Sequence, residues 1–595
     1  MKLCRLILIL AVLSFLGAGA LLCFKTAWGL VIALIALLAL AAKKRHQILS
    51  AFGTARWASV SDMERAGMLK AGSGLILGRV TVPRIGFLQS LRELFRKRIP
   101  AAIACENFVF SMRKFQPKKP DPAMVRLNKA VHIAVFAPTG AGKGVSFVIP
   151  HLLTCPDSCV VVDFKGENAL ITAEHRAKMF GHKIVILDPF DAVTRNGKNP
   201  KKLDRPSDNF NPLDQIHADS PLALDDCNNL AKALVVSTGE EREPHWNESA
   251  ERWISGMAAV VTQFGETGNR SLQTVRTLLA NPLKTSAVIK MMCESQACGG
   301  MLSRKGFELT KYVEKELGSV MTTTNRFMYF LDTLPIAANT TASSFDPADL
   351  CKGKMTVYLV LPPEHMRAQA GLLRMWVSFM LLAVVRGGLQ ETNRVHFVLD
   401  EAASLGRMDS LDDAVDKYRG YGVRLQFYYQ SLGQLQKCFP KGQDQTLLSN
   451  TTQVYLGVND QATAEYVSNR LGEQTIIVDS GGTNNGWSKQ INDDGKSSYS
   501  RSGGGSHNWA QQVRKLLKPE EVVGLDKDVA ITFTPEIPPL WTKVIKYYEQ
   551  PQQTRWWEPH RVNPWKTMRT RAEMHLAAVM LLGIGLALLW CVATL

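Results

Sequence analysis

The sequence lacks a recognisable cysteine pattern, and it has no internal repeat. Its eleven cysteines, in 595 residues, form neither a compact disulfide framework nor a motif with metal-ligand spacing. The two closest, Cys155 and Cys159, lie four residues apart in an apolar region, and we interpret them as reduced, buried thiols in a cytosolic region. A hydrophobic content of 46% excludes a disordered tail and is enough for about two to four domains with buried cores.

Long apolar runs begin the chain. Residues 6–24 are long enough to span a bilayer, and a second run at 27–42 ends at a basic KKRH segment. Basic residues flank the pair of runs, and Lys25 is the only basic residue between them. The positive-inside rule therefore places both outer ends in the cytoplasm. We predict a transmembrane hairpin. The alternative is a signal peptide with a small-residue cleavage site at residues 18–20, which the second run disfavours.

A third apolar run ends the chain. Residues 575–595 are almost entirely apolar and follow Lys566, Arg569 and Arg571, which favours a third span whose end lies across the membrane. The alternative is a buried C-terminal helix, although such a helix rarely lacks a polar face over so many turns. The sequence therefore predicts a multi-pass protein with most of its chain in the cytoplasm.

A glycine-rich turn lies between a β-branched apolar run, AVHIAVFAP at 130–138, and a helical pattern. This order of strand, loop and helix is the context in which phosphate-binding loops occur. We therefore predict a nucleotide site formed by Pro138, Thr139, Gly140, Ala141, Gly142, Lys143, Gly144 and Val145. Backbone N–H groups of such a loop surround the β-phosphate, and the Lys143 ammonium neutralises the β- and γ-phosphates.

The loop departs from the common phosphate-loop pattern at two positions. Ala137 replaces a glycine at the entrance, which has little consequence if its φ is negative. Gly144 replaces the Ser or Thr whose hydroxyl normally ligates Mg²⁺. Ser146 is the nearest hydroxyl, and we expect it to point elsewhere and water to fill that coordination position.

Two adjacent carboxylates, Asp400 and Glu401, end a second β-rich run in NRVHFVLDEAASLG at 393–406. Asp400 is suited to holding Mg²⁺ through its water shell, and Glu401 to orienting or deprotonating the attacking water. An apolar run that ends in Asp-Glu is weak evidence by itself. Together with a phosphate loop it predicts a centre that hydrolyses ATP.

Further motifs follow in a fixed order over about 420 residues. They include GTARWASVSDM (53–63), VVVDFKGENALITAEHR (160–176), HWNESAERWI (245–254), KYRGYGVRLQFYYQSLGQL (417–435) and GVNDQATAEYVSNRLGEQT (457–475). In this order the chain resembles the TraG-type coupling proteins of type IV secretion and conjugation, which are membrane-anchored ATPases related to FtsK-type DNA translocases. Gly-Lys-Gly is common in the phosphate loop of that family, so Gly144 does not by itself imply an inactive site.

The resemblance also assigns roles to single residues. Gln430 matches the position of an amide that senses the γ-phosphate, and Arg419 matches an arginine finger that reaches a neighbouring subunit's nucleotide, with Arg424 as the rival. Asp163, Lys165 and Glu167 lie just past a predicted strand end. They either line the ligand-binding edge or form a local ion-pair cluster.

The fold class predicted is α/β: a RecA/FtsK-like P-loop NTPase with a mostly parallel sheet, an inserted all-α domain and an N-terminal transmembrane hairpin. The strand-like runs lie near 131–136, 158–163, 183–188, 356–361, 395–400, 423–428 and 452–457, and a Gly/Ser/Asn-rich stretch at 479–507 predicts a mobile loop. The predicted segments are the hairpin (1–45), a membrane-proximal segment (46–130), two parts of the nucleotide-binding domain (131–213 and 346–550), the all-α insertion (214–345) and a C-terminal tail (551–595).

A formal net charge of +17 bears on the partners. Basic clusters near the hairpin can bind anionic membrane lipid, so charge alone does not indicate DNA, and without a base-reading motif any DNA contact is expected to involve phosphates. The resemblance implies a homo-hexameric ATPase of the bacterial inner membrane. It would recruit relaxase-bound single-stranded DNA and contact inner-membrane components of a type IV secretion system. The alternatives are a receptor for protein effectors and a nucleotide-binding scaffold with little turnover.

Overall fold

The computed structural model describes residues 53–70, 72–80, 123–194, 203–236, 243–390, 392–491 and 497–549. It divides into two compact units, Met1–Ile545 and Lys546–Leu595, of which the second has only residues 546–549 described. The predicted membrane spans at both ends of the chain lie outside the described residues. No helix within the described ranges is long and apolar enough to cross a membrane.

The described residues contain thirteen strands: β1 (Leu75–Val80), β2 (Ala123–Leu127), β3 (Ile133–Phe136), β4 (Ser158–Asp163), β5 (Lys183–Leu187), β6 (Met355–Val360), β7 (Val395–Leu399), β8 (Val423–Tyr429), β9 (Thr452–Leu456), β10 (Glu473–Ile491), β11 (Ser497–Lys515), β12 (Val529–Phe533) and β13 (Leu540–Lys543). Eleven of them form one sheet in the order β2-β1-β13-β12-β9-β3-β8-β7-β4-β6-β5. The seven strands from β9 to β5 are parallel. The other four pair antiparallel and extend the sheet beyond β9.

All seven predicted strands are present in this sheet, and they are its parallel part. Five of them, β3, β4, β6, β7 and β9, are buried at every residue, because helices cover both faces of a parallel sheet. Burial on both faces gives a continuous apolar run, which is why these strands could be read from the sequence. The four antiparallel strands at the sheet's other end were not predicted.

The helices are α1 (Val60–Arg65), α2 (Ile149–Thr154), α3 (Glu167–Phe180), α4 (Ala223–Leu234), α5 (His245–Phe264), α6 (Leu272–Ala280), α7 (Pro282–Glu294), α8 (Met301–Leu309), α9 (Glu314–Met328), α10 (Leu334–Asn339), α11 (Pro363–Met366), α12 (Ala370–Arg386), α13 (Asp409–Lys417), α14 (Leu432–Cys438), α15 (Asp444–Asn450), α16 (Gln461–Leu471) and α17 (Pro519–Val523). In the described residues between β5 and β6, seven helices and no named strand occur. The helices therefore lie where the helix-rich insertion was predicted.

The inserted helices share a hydrophobic core with the sheet. Trp253 of α5 and Trp376 of α12 are both fully buried in that core. Helix α4 packs against both α5 and α12, and Arg386 at the end of α12 forms an ion pair with the buried Asp226 of α4. Truncating either tryptophan to alanine would cost about 3 to 5 kcal/mol, so these contacts hold the inserted helices firmly on the sheet.

The prediction of a loop at 479–507 was wrong for the part of that stretch that the structure describes. Strands β10 and β11 pair antiparallel without a break from Glu473 opposite Lys515 to Ile491 opposite Ser497. Glycine, serine and asparagine have weak strand propensity. In an antiparallel hairpin, however, backbone hydrogen bonds between the two strands hold the ribbon regardless of side-chain type.

The strand order places three loops side by side. Strands β3, β8 and β7 are neighbours and run parallel, so the segments that follow Phe136, Tyr429 and Leu399 leave the same edge of the sheet. The carboxyl edge of a parallel sheet is where ligands bind in folds of this class.

Candidate nucleotide-binding site

The predicted phosphate loop joins β3 to a helical turn over Gly144–Val148, which continues into α2. Gly140 and Gly142 have φ values of +83° and +88°, a backbone region that glycine enters without strain. The loop closes on itself through a 3.1 Å hydrogen bond from the Ala141 amide to the Pro138 carbonyl. A Cβ atom added to Gly140 or Gly144 would meet nothing within 4 Å, so there is room beside the loop for a ligand.

Lys143 reaches from this loop to both predicted carboxylates. Its Nζ atom lies 2.6 Å from Oε2 of Glu401 and 3.8 Å from Oδ1 of Asp400. The three side chains are only 16% to 23% exposed. The sequence-predicted lysine and carboxylates therefore meet at one point on the carboxyl edge of the sheet.

Glu401 is held from its other side by two amides. Its Oε1 accepts hydrogen bonds from Nε2 of Gln430 at 2.6 Å and from Nε2 of Gln434 at 3.2 Å. Burial alone would raise the pKa of Glu401, but the hydrogen bond and charge of Lys143, with the two amide bonds, hold that pKa below its usual value. Glu401 is therefore ionised at neutral pH in this arrangement.

Sequence reasoning predicted Gln430 and missed Gln434. The side-chain Oε1 of Gln434 accepts a 2.7 Å hydrogen bond from the Gln430 backbone N–H, which orients the Gln434 side chain. The available signal was Ser431, a residue typical of helix N-caps, whose hydroxyl accepts a bond from the Gln434 backbone N–H at 3.3 Å. This cap starts α14 at Leu432 and so directs Gln434 toward the carboxylate.

Asp400 has an unsatisfied oxygen. Its Oδ1 is buried and makes no hydrogen bond, and burial raises the pKa of this carboxyl while the charge of Lys143 opposes the shift. The Lys143 ammonium, at 3.8 Å from this oxygen, is beyond hydrogen-bond distance. A buried carboxylate oxygen without a hydrogen bond costs free energy unless a ligand satisfies it. This donor is suited to the water shell of Mg²⁺, a cation that prefers oxygen ligands.

Asp163 lies close enough to Asp400 to feel its charge. Burial raises its pKa to about 7; a backbone hydrogen bond from Ala169 opposes the shift and the negative charge of Asp400 adds to it. Its Oδ2 accepts that bond at 2.8 Å and so anchors the first turn of α3. Lys165 and Glu167 also act electrostatically on Asp400, which places the DFKGE segment beside the site.

Ser146 lies beneath the loop. Its Oγ is buried without a hydrogen-bond partner and lies 3.6 Å from the position that a Cβ on Gly142 would occupy. The expectation that water replaces the missing hydroxyl at Gly144 stays a prediction.

Arg419 and Arg424 do not join this site within one chain. Arg419 lies in the turn Tyr418–Tyr421 that precedes β8, while Gln430 follows the end of that strand. Because β8 has seven residues, the two are separated by about 20 Å, at about 3.3 Å per residue. Arg424 Nη1 donates to the carbonyls of Arg419 and Val423 at 3.1 and 2.8 Å. These bonds hold the Arg424 guanidinium beside the turn that precedes β8.

Relatives and solved structures resemble the chain over most of its length. Protein VirD4 of Rhizobium radiobacter is 26% identical over 508 residues, covering 83% of this chain and 64% of that protein, so the chain spans less than two thirds of this relative. Conjugal transfer protein TraG of Escherichia coli is 26% identical over 491 residues, covering 79% of this chain and 70% of TraG.

The structure of the plasmid coupling protein TrwB in complex with ADP and Mg²⁺ has the same fold. It matches with a TM-score of 0.52 at 17% identity, over 72% of this chain and 90% of TrwB. The family described as type IV secretory system conjugative DNA transfer matches residues 56–573. The chain belongs to that family.

Proposed function

We propose that this chain is an inner-membrane ATPase that recruits relaxase-bound single-stranded DNA and delivers it to a type IV secretion channel during conjugative transfer. It would act as a homo-hexamer in contact with inner-membrane components of that channel. The observation that carries the proposal is the contact of Lys143 with Glu401 at the carboxyl edge of the sheet, in a chain of the conjugative DNA transfer family.

The residues present fit ATP and Mg²⁺. The loop has open space beside Gly140 and Gly144, and its glycines allow the backbone N–H groups to face a phosphate. Oδ1 of Asp400, which makes no hydrogen bond, is available to the water shell of a cation. Bound Mg²⁺ would neutralise charge on the phosphates and polarise the γ-phosphoryl group.

The residues of the network have separable roles in hydrolysis. The Lys143 ammonium, on the loop itself, would exchange its bond with Glu401 for the β- and γ-phosphate oxygens. That exchange releases one carboxylate oxygen of Glu401 to orient the attacking water and accept its proton. Gln430 keeps the other oxygen fixed by its 2.6 Å hydrogen bond and lies where a change at the γ-phosphate would alter that bond.

A positioned general base typically contributes about 10² to 10⁴ in rate. An arginine supplied by a neighbouring subunit is worth about 10³ to 10⁵ in well-studied nucleotide hydrolases. Arg419, which lies about a strand length from its own chain's site, can act only on another copy's nucleotide. An isolated subunit is therefore expected to hydrolyse ATP slowly, and assembly to accelerate it.

The experiment is ATP hydrolysis by the purified full-length chain with and without single-stranded DNA, with Lys143→Ala as the background. Stimulation of several fold by single-stranded DNA supports the coupling ATPase. Hydrolysis that DNA leaves unchanged would support a receptor for protein effectors. Turnover no higher than that of Lys143→Ala would support a nucleotide-binding scaffold, and either of these last results contradicts the proposal.

A further inference from the structure

A cluster of sulfur and imidazole donors lies near the sheet edge opposite the nucleotide site. His151, Cys155 and Cys159 are fully buried, and their donor atoms all lie within 4.8 Å of one another. Cys155 belongs to a second such group with Asp157 and His396. The two groups share Cys155, so two thiols, two imidazoles and a carboxylate lie in one region of the fold.

Three elements supply these donors. His151 lies in α2 and Cys155 ends that helix, while Cys159 is the second residue of β4. His396 is on β7, directly beside Cys159 in the parallel register of the two strands. Cys155 and Asp157 lie in the short connection between α2 and β4, and the other three donors belong to the helix and strands themselves.

Two of the donors lack good partners. The Nδ1 atom of His151 is buried and makes no hydrogen bond, and the Cys159 thiol has only weak partners, the Asp157 carbonyl at 3.5 Å and the Cys155 thiol. The Gln426 amide nitrogen lies 2.9 Å from Nε2 of His151 and 3.4 Å from Nδ1 of His396. A half-turn of this amide would give His151 Nε2 an acceptor for its proton and leave Nδ1 with a free lone pair.

We propose that His151, Cys155 and Cys159 bind one Zn²⁺ ion, with the fourth ligand supplied by the Asp157 carboxylate, which His396 holds in place. Zinc takes four such ligands in a tetrahedron, at about 2.3 Å from sulfur and 2.0 to 2.1 Å from nitrogen, which places neighbouring donors about 3.3 to 3.8 Å apart. Donors already within 4.8 Å need movements of only about 1 Å to reach that geometry.

The charges at the site also suit zinc. Two thiolates and neutral imidazoles balance the ion's double charge. Asp157 and the fully buried Arg176 add one charge of each sign. In a reducing compartment, paired cysteines near histidines serve metal binding more often than a disulfide. Sulfur ligands exclude Mg²⁺ and Ca²⁺, which require oxygen donors.

Arg176 holds the ligand segment in place. Its guanidinium donates to the carbonyls of Leu152, Cys155 and Asp157 at 2.6, 2.8 and 2.7 Å. The carboxylate of Asp157 lies 3.1 Å from Nε2 of His396, and hydrogen bonds of this kind orient metal-ligating carboxylates. These bonds tie the ligand segment to α3 and β7.

The ion would join the helix that follows the phosphate loop to the strand that ends at Asp400. Its role would be structural, because four protein donors leave no open position for a substrate. The inference does not depend on the proposed function. Lys143→Ala, which removes the predicted ATPase activity, should leave zinc binding unchanged.

The test is metal binding by the purified full-length chain after chelator treatment. Zn²⁺ content is measured by mass spectrometry, and Co²⁺ is used as a spectroscopic substitute. We expect one equivalent of zinc, a sulfur-to-cobalt charge-transfer band and a higher Tm with zinc. Cys155→Ser and Cys159→Ser should each weaken binding at least tenfold, whereas Cys227→Ser, a fully buried cysteine elsewhere, should bind as the parent does.

Three results would overturn the site. The parent chain could bind no zinc and show no cobalt band. Cys159→Ser could bind zinc as tightly as Cys227→Ser does. The parent, purified under reducing conditions, could carry a Cys155–Cys159 disulfide in peptide mass spectra. The first and third are measured on the unaltered chain, so a variant that fails to fold does not rescue the proposal.

Discussion

Nζ of Lys143 lies 2.6 Å from Oε2 of Glu401, although 258 positions separate the two residues in the sequence. The ammonium belongs to the phosphate loop, which follows β3, and the carboxylate belongs to the segment that follows β7. Gln430 and Gln434 occupy the other carboxylate oxygen. We propose that a nucleotide takes over the bond of the lysine and so releases Glu401, an exchange that would connect binding to the carboxylate that we assign to hydrolysis.

Lys143→Ala is expected to remove ATP turnover, by at least about a hundredfold, because no other cation stands on the loop to balance the phosphates. The Lys143–Glu401 pair is only 16% and 22% exposed, so removing the ammonium leaves a largely buried carboxylate without its counter-charge, and the Tm should fall. Glu401 keeps its two amide donors in the variant, so the fold should persist. The matched control is Lys178→Ala, an exposed lysine that pairs with Glu174 on α3. Equal turnover in the two variants would remove Lys143 from the site.

Mixtures of two inactive variants test the role of Arg419. Because Arg419 lies about 20 Å from its own chain's Gln430, we expect it to act on a neighbouring subunit. Rings assembled from Arg419→Ala and Lys143→Ala subunits contain some interfaces with both groups intact, and they should regain part of the ATPase activity. Mixed rings that are shown to form and yet stay inactive would contradict this assignment.

Asp163→Asn is expected to change how stability depends on pH. Burial raises the pKa of Asp163 to about 7, above its value in the unfolded chain, so the folded state holds the proton more tightly. The contribution of Asp163 to the free energy of unfolding is fully present below the pKa that this group has in the unfolded chain. It is lost as the pH rises toward 7. Asparagine is neutral and keeps an acceptor for the Ala169 amide.

The measurement is the Tm of the parent and of Asp163→Asn at about pH 5 and about pH 8, without nucleotide or Mg²⁺. The parent should lose more stability than the variant between the two values, by up to a few kcal/mol at about 1.4 kcal/mol per pKa unit. Parallel behaviour of the two proteins would show that Asp163 is ionised in the fold at both pH values.

Reporter fusions test the predicted topology, which lies outside the described residues. A reporter active only in the periplasm should be active after Leu595 and silent near Ser50, because the flanking basic residues place Ser50 in the cytoplasm. Activity near Ser50 would reverse the hairpin and remove the ATPase from the compartment that supplies ATP.

The sequence predicted the parts of this molecule whose pattern is local. Strand β4 was predicted at 158–163 and occupies Ser158–Asp163, since a fully buried parallel strand is an unbroken apolar run. Gly140, Gly142 and Lys143 were found because the residues of a phosphate loop are consecutive in the sequence. The antiparallel strands β12 and β13 were missed because pairing with strands distant in sequence decides whether such short segments become extended.

The parts that were missed depend on contacts between distant residues. The β10 and β11 hairpin has the composition of a loop and is extended through its pairing across the chain. Gln434 touches Glu401 because a serine cap sets the start of α14. Cys155 and Cys159 are the free, buried thiols that the sequence predicted, but the nearness of His396 could not be read from it, because His396 lies on another strand of the sheet.

The most direct test of the nucleotide site compares ATP binding with ATP hydrolysis in Glu401→Gln. The substituted amide can keep an acceptor for Gln430, but it cannot accept a proton from water. We expect nucleotide affinity close to that of the parent, and single-turnover hydrolysis slower by about 10² to 10⁴, so that bound ATP persists. Glu174→Gln, at an exposed position on α3, should hydrolyse at the parent rate. Hydrolysis by Glu401→Gln at that same rate would contradict the account.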